Sequence, residues 1–233
     1  MAPDAHPDWH VFPTPEALAE DLAGTVAARL AEAIAQRGQA FLALSGGTTP
    51  KRFLEALSTR VIDWSRVIVT LVDERFVPED SPRSNAALVR ETLLTGKAAA
   101  ARFVPLCQPA ADVETAAEHA DETLAPLPWP LDVVVLGMGT DGHTASFFPD
   151  ATDQSAVNPD NPASVAAVHS PSAGEPRLTL TLPRIAQAGF VALHIEGPAK
   201  RTVLQQALTG EAKLPIRLAF DHARNPVQVY WAP

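Results

Sequence analysis

The sequence predicts an α/β domain with a mostly parallel sheet and helices on both faces. Short, uniformly apolar runs such as AFLALS and LDVVVLG have the length and composition of strands buried on both sides. Longer stretches between them carry helix start and stop signals. The two kinds of segment alternate along the chain, which is the pattern of βα units.

The elements follow in order. A short apolar piece, HVF, leads into a helix that Thr14 can cap, with Pro15 in the first turn and Glu16 and Glu20 near its positive end. Gly38 can end it. AFLALS is the first buried strand, and GGTTPKRFLEALS is a glycine turn opening a second helix. RVIVTLVDER reads as one strand, SNAALVRETLL as a helix capped by Ser84, ARFVPL as a short strand, and DVETAAEHADETLAPL as a helix capped by Asp112. LDVVVLG is a strand. RLTLTL alternates and is expected to be a strand with one wetter face. PRIAQAG is a short helix, FVALHIEG a strand, PAKRTVLQQALTG a helix and VQVYW a closing strand. The least regular stretch, 149–164, is expected to be a loop or partial lid.

Length and composition bound the possibilities. The 233 residues are 46 % hydrophobic, enough for one sizeable core, and no linker divides them, so one domain over 1–233 is expected. No apolar run approaches the roughly 18 residues of a membrane span, and MAPDAHPDWHVF lacks the features of a signal peptide. With a single cysteine, Cys107, no intrachain disulfide can form, and a soluble, cytoplasmic protein is expected. The formal net charge of −9 argues against nucleic acid or anionic membranes as partners. An anionic ligand would have to be held by a few placed cations and backbone amides.

Three polar clusters each follow an apolar strand directly, where open parallel sheets bind ligands. LSGGTTP (Ser45, Gly46, Gly47, Thr48) puts small residues and free amides at a helix start, suited to a phosphate or carboxylate. It lacks both the P-loop ending and the GxGxxG spacing. VDERF places Asp73 and Arg75 at a strand end; alone, such a charge cluster reads as solvated. GMGTDGHTASFF is the most specific. Its glycines, Gly139 among them, allow tight turns, and Asp141 and His143 lie two residues apart, so that a carboxylate can orient an acid–base histidine. Metal-ligand spacings and the GxSxG elbow are absent from the sequence, so neither a metal nor another cofactor is expected. Lys200 sits in a helix's first turn, a disfavoured place for a cation unless an anion binds there. Cys107 reads as a packed thiol, and His169, His194 and His222 as structural.

LALSGGTTP, VTLVDERFVPEDSPRSN, VVVLGMGTDGHTASFFP, RLTLTLPRI and EGPAK, in this order, resemble the 6-phosphogluconolactonase family over nearly the whole chain. This chain has Thr48 where the family often has serine, and Phe147 where it often has leucine. The resemblance implies the three-layer α/β/α fold of glucosamine-6-phosphate deaminase, ribose-5-phosphate isomerase and CoA-transferase-like proteins, with a small added subdomain. It implies hydrolysis of 6-phospho-D-glucono-1,5-lactone in the oxidative pentose phosphate pathway, with His143 as base. It also implies phosphate contacts from the Gly46–Gly47–Thr48 loop, Arg177 and Lys200, and a substrate pocket that includes Arg75 and Asn85.

On that reading His143 takes a proton from the attacking water, and amides around Gly137–Gly142 or the Arg75 guanidinium receive the oxyanion. Asp141 or Asp73 orients the histidine or a substrate hydroxyl. The partner is a small sugar-phosphate lactone, and the protein a monomer or small homo-oligomer. Two other readings are a glucosamine-6-phosphate deaminase or isomerase, with Asp73 as base, and a sugar-phosphate-sensing domain without catalysis. The DER and SN pairing with GHTASFFP favours the lactonase over the first. An acidic chain with few residues before its first helix argues against the second.

Overall fold

The computed structural model of the chain describes residues 7–233. The leader expectation rests in part on residues 1–6, which lie outside that range. Among the described residues, ten strands and seven α-helices follow one another: β1 (Asp8–Val11), α1 (Pro15–Arg37), β2 (Ala40–Leu44), α2 (Lys51–Ser58), β3 (Val67–Leu71), β4 (Asp73–Arg75), α3 (Asn85–Thr92), β5 (Arg102–Phe103), α4 (Val113–Leu124), β6 (Val133–Leu136), β7 (Val165–Val168), β8 (Arg177–Leu180), α5 (Leu182–Ala186), β9 (Phe190–Glu196), α6 (Pro198–Thr209), α7 (Ile216–His222) and β10 (Gln228–Ala232).

The expected caps are in place. Thr14 accepts from the Ala17 amide, Ser84 from Ala87 and Asp112 from Thr115. Gly38 closes α1 in the left-handed conformation, at φ 81°. Seven strands form a parallel sheet in the order β1-β10-β9-β6-β2-β3-β5, flanked by helices. β2, β3 and β6 are buried along their whole length, which explains their uniformly apolar sequences. From β2 the chain moves outward to β3 and β5, whereas from β6 it moves the other way to β9. The switch point therefore lies between the paired ends of β2 and β6, where Leu44 stands opposite Val135. Ligand crevices form at such points.

Two expectations are corrected. VIVTLVDER is not one strand. At Val72 the chain leaves the large sheet: its amide still donates to Leu44 (2.8 Å), but its carbonyl accepts from Leu180 (2.8 Å). Asp73–Arg75 then pair antiparallel with β8, which pairs with β7, in a second, three-stranded sheet. RLTLTL has no wet face either. Leu178, Thr179 and Leu180 are all buried, and the Thr179 hydroxyl donates to the Leu180 carbonyl and accepts from the Ser146 amide.

Strand β7 and helix α7 carried too little local signal to be read. VAAV is short and half alanine, and it becomes a strand through its register with β8 and its packing under α4. The stretch from 149 to 164 is indeed irregular apart from one 3₁₀ turn at Ser155–Val157.

Candidate active site

The loops after β2 and β6 meet at the switch point, and the start of the small sheet closes the third side. The Ser45 hydroxyl ties the first two together by accepting from the Gly137 amide at 3.2 Å. Between them lies a cavity of about 230 Å³, lined by Ser45–Thr49, Asp73, Arg75, Asn85, Gly139, His143, Arg177, His194 and Lys200. Of the side chains expected to act on the substrate or on His143, Asp141 is not part of this lining. It stands behind His143.

The loop around His143 is built from its own polar groups. Thr144 donates to the Gly137 carbonyl, Gly139 donates to the His143 carbonyl, and Gly142 donates to Gly139. Asp141 Oδ1 lies 2.6 Å from His143 Nδ1 and also accepts the His143 amide. The pair holds Nδ1, and Nε2 has no protein partner among the described residues. Phe148 stacks against the imidazole, with ring centroids 4.6 Å apart, and limits its rotation. Ala145, at φ 50°, takes the left-handed turn that lets the chain fold back under the histidine.

Gly139 is required for this pairing. A Cβ there would lie 2.3 Å from the His143 ring and 2.4 Å from Asp141 Oδ1. Gly139→Ala is therefore expected to force the ring off Asp141 and to lower turnover about 10²-fold or more, with a smaller loss of melting temperature. Parallel kinetics and thermal unfolding would test it; wild-type turnover would show that the ring tolerates the shift.

Asp73 is engaged elsewhere. It accepts from the Ser146 hydroxyl at 2.7 Å and lies 3.9 Å from Arg177 Nη1. Of the two acids considered for His143, Asp141 is the one in contact. Arg177 donates to the Ala173 carbonyl and lies over the Phe148 ring, while its Nε is buried without a partner among the described residues. The Phe148 ring also touches His143, so Arg177 stands on the histidine side of the cavity. Lys200 stands beside Thr49, with Nζ 3.4 Å from its hydroxyl.

Glu74, between Asp73 and Arg75, was not singled out in the sequence. Its buried carboxylate accepts from the Arg75, Asn85 and Ala86 amides and the Ser84 hydroxyl, at 2.7–3.1 Å. Burial pushes its pKa up and these four donors pull it back, leaving it above the ordinary range. It seats the start of α3 and hence Asn85. The Asn85 carboxamide in turn donates to the Asp73 carbonyl (2.8 Å) and accepts from Arg75 Nη1 (2.7 Å). Glu74 is an acid with helix-capping donors 10 and 11 residues ahead in SN, and that pairing is the only sequence signal it left.

Oxyanion and phosphate donors can be sorted by what is already used. The Gly137 amide is taken by Ser45 and those of Gly139 and Gly142 by the loop itself, which removes those three from the expected oxyanion donors. Arg75 spends Nη1 on Asn85 and the Arg83 carbonyl and has Nε 3.5 Å from Glu175, leaving Nη2 free among the described residues. The amides of Gly46, Gly47, Thr48 and Thr49 likewise have no acceptor among the described residues. Cys107 is remote from this cavity. It is half-buried, and burial raises its pKa.

A parallel α/β fold with an oriented acid–base histidine and open backbone amides at its switch point defines an enzyme for small anionic substrates. The comparisons with known proteins agree. The profile of the family described as glucosamine-6-phosphate isomerases/6-phosphogluconolactonase matches residues 13–231. A 6-phosphogluconolactonase of Mesorhizobium japonicum is 59 % identical over 97 % of this chain and 95 % of its own. One of Rhizobium meliloti is 56 % identical over 97 % and 99 %. The crystal structure of a 6-phosphogluconolactonase from Shewanella baltica superposes with a TM-score of 0.94, at 39 % identity and 98 % coverage of both chains. The chain belongs to the glucosamine-6-phosphate isomerase/6-phosphogluconolactonase family.

Proposed function

We propose that this chain hydrolyses 6-phospho-D-glucono-1,5-lactone to 6-phospho-D-gluconate. The observation that carries the reading is the Asp141–His143 pair, with a free Nε2, in the same cavity as the open amides of 46–49 and Lys200. His143 Nε2 takes a proton from water as its oxygen bonds to the lactone carbonyl carbon. Asp141 holds the ring in the tautomer with the lone pair on Nε2 and stabilises the imidazolium that forms. The carbonyl oxygen becomes an oxyanion, which Arg75 or Arg177 receives. Collapse breaks the ring ester bond, and the departing hydroxyl takes its proton from His143. The phosphoryl end sits on the 46–49 amides and Lys200 and fixes the carbonyl's position. Product formation from fresh lactone, coupled to 6-phosphogluconate dehydrogenase, tests this; a rate equal to that in buffer alone would overturn it.

The deaminase reading needs a free carboxylate base. Asp73, its candidate, is held by Ser146 and faces Arg177, which disfavours it. The proposal takes the whole chain as one catalytic unit, cytoplasmic and acting as a monomer or small homo-oligomer. Nucleic acid, membrane and cofactor have no part in it. No helix among the described residues is long and apolar enough to cross a membrane, and no cluster of metal-ligating side chains occurs there.

Burial lowers the pKa of Lys200, and the nearby Glu196 carboxylate opposes that shift. The binding form is the ammonium. Its loss on raising pH therefore comes earlier than for an ordinary lysine, and binding of 6-phosphogluconate weakens with it. Lys200→Ala is expected to raise KM about tenfold or more and to flatten that alkaline limb. Product titrations across pH would check both; an unaltered limb would place its origin elsewhere.

A further inference from the structure

We propose that His194 is a proton-linked phosphoryl-binding residue: held by Glu196, it takes up a proton as the substrate's phosphoryl group enters and donates Nδ1–H to it. This rests on the lactonase reading of the cavity. The sequence marked His194 as structural, but the fold places it in the cavity wall with Phe53, Thr49 and Lys200. Its side chain is 2 % exposed. Nε2 lies 3.2 Å from Glu196 Oε1, and Nδ1 is buried without a hydrogen-bond partner among the described residues. Buried polar atoms in folded proteins are nearly always paired, and an orphan beside a ligand cavity points to a partner that arrives with the ligand.

The charges around the ring show which partner fits. The hydrogen bond to His194 is the main cause of a lowered Glu196 pKa, so Glu196 is an anion at neutral pH and keeps a proton on Nε2. A neutral ring then offers Nδ1 only as a lone pair, which an anionic oxygen repels. A protonated ring offers Nδ1–H, a charge-assisted donor. Glu196 on the same strand faces the ring; Lys200 from α6 and Arg52 from α2 act on that carboxylate, and Arg52 is itself paired with Glu16 at 3.0 Å. Tyr230 stands beside His194 on β10, with its pKa raised by burial, and His10 of β1 stacks on its ring. That neighbour therefore adds no charge at neutral pH. An incoming phosphoryl dianion adds negative charge beside the ring and shifts the balance towards the imidazolium. It also supplies the acceptor that Nδ1 lacks.

The test follows the His194 ring of the full-length protein by NMR, from about pH 5 to pH 8, alone, with 6-phosphogluconate and with unphosphorylated gluconate. The expected result is a titration moved to higher pH by 6-phosphogluconate and left in place by gluconate. Calorimetry in buffers of different ionisation enthalpy should show proton uptake on binding 6-phosphogluconate. That uptake should be lost in His194→Gln, with affinity weakened about tenfold. Glu196→Gln should move the titration to lower pH. A His194 titration indifferent to 6-phosphogluconate would overturn the proposal, and this arm needs no variant to fold. Equal affinity and proton uptake in His194→Gln would overturn it as well. A protein that leaves the lactone intact but shows the shift with 6-phosphogluconate would refute the lactonase reading and uphold the His194 site.

Discussion

Replacing His143 with alanine is expected to lower kcat/KM for 6-phosphogluconolactone by about 10²–10⁴-fold. The reaction's difficult step is attack by a poor nucleophile on an ester. His143 lines the cavity, is held on Nδ1 by Asp141 and keeps Nε2 unpartnered among the described residues, whereas His194, the other histidine there, is buried. The side chain is about a third exposed (32 %), so its removal leaves little buried void and folding should be retained. Residual turnover would come from the arginines and the phosphoryl contacts, which still position the lactone. Because δ-lactones also open unaided, the variant must be compared with the buffer rate at the same pH. Added imidazole should restore part of the rate by entering the space the side chain leaves. A variant within a few-fold of wild type would remove His143 from the mechanism and turn attention to Asp73.

Replacing Gly46 with alanine is expected to cost both stability and turnover, for a steric reason. A Cβ at Gly46 would lie 1.8 Å from Asn85 Oδ1 and 2.1 Å from Asn85 Cγ. A free side chain would swing away, but Asn85 is pinned. Its amide donates to Glu74, its carboxamide donates to the Asp73 carbonyl, and its oxygen accepts from Arg75. Either the glycine loop lifts or Asn85 leaves and Arg75 loses its anchor. Overpacking of this kind costs about 1–3 kcal/mol, measurable by denaturant unfolding. Both outcomes misplace a group assigned to the substrate, so kcat/KM should fall at least tenfold, a loss of about 1.4 kcal/mol in transition-state binding. An unfolding midpoint and activity equal to wild type would mean that the loop yields freely and that its contact with Asn85 is incidental.

Much of this molecule was legible one segment at a time. The caps at Thr14, Ser84 and Asp112 depend on bonds spanning three residues, and the buried strands on runs of apolar side chains. Both signals are local. The same holds for the proposed base: glycines, Asp141 and His143 lie within five residues, and their contact needs only a tight turn. What could not be read depends on residues far apart in the chain. Val72 has the same apolar character as the strand before it, and it ends that strand only because Leu180 arrives to bond its carbonyl. Asp73 and Asp141 were equal candidates until Ser146, 73 positions away from Asp73, was seen to engage the former. Glu74 looked like a solvated charge and is a buried cap.

The sequence by itself determined the α/β class, the order of nearly all elements, and the loops that would carry chemistry, since alternating burial and turn residues act over short range. The tertiary structure alone decided which loops meet at the switch point between β2 and β6. It also decided that DER belongs to a separate sheet, that Arg177 stands on the His143 side of the cavity, and that His194 enters its wall. These follow from strand order, and strand order is set by the joint packing of the two sheets and their helices, to which every segment contributes and which no single segment encodes.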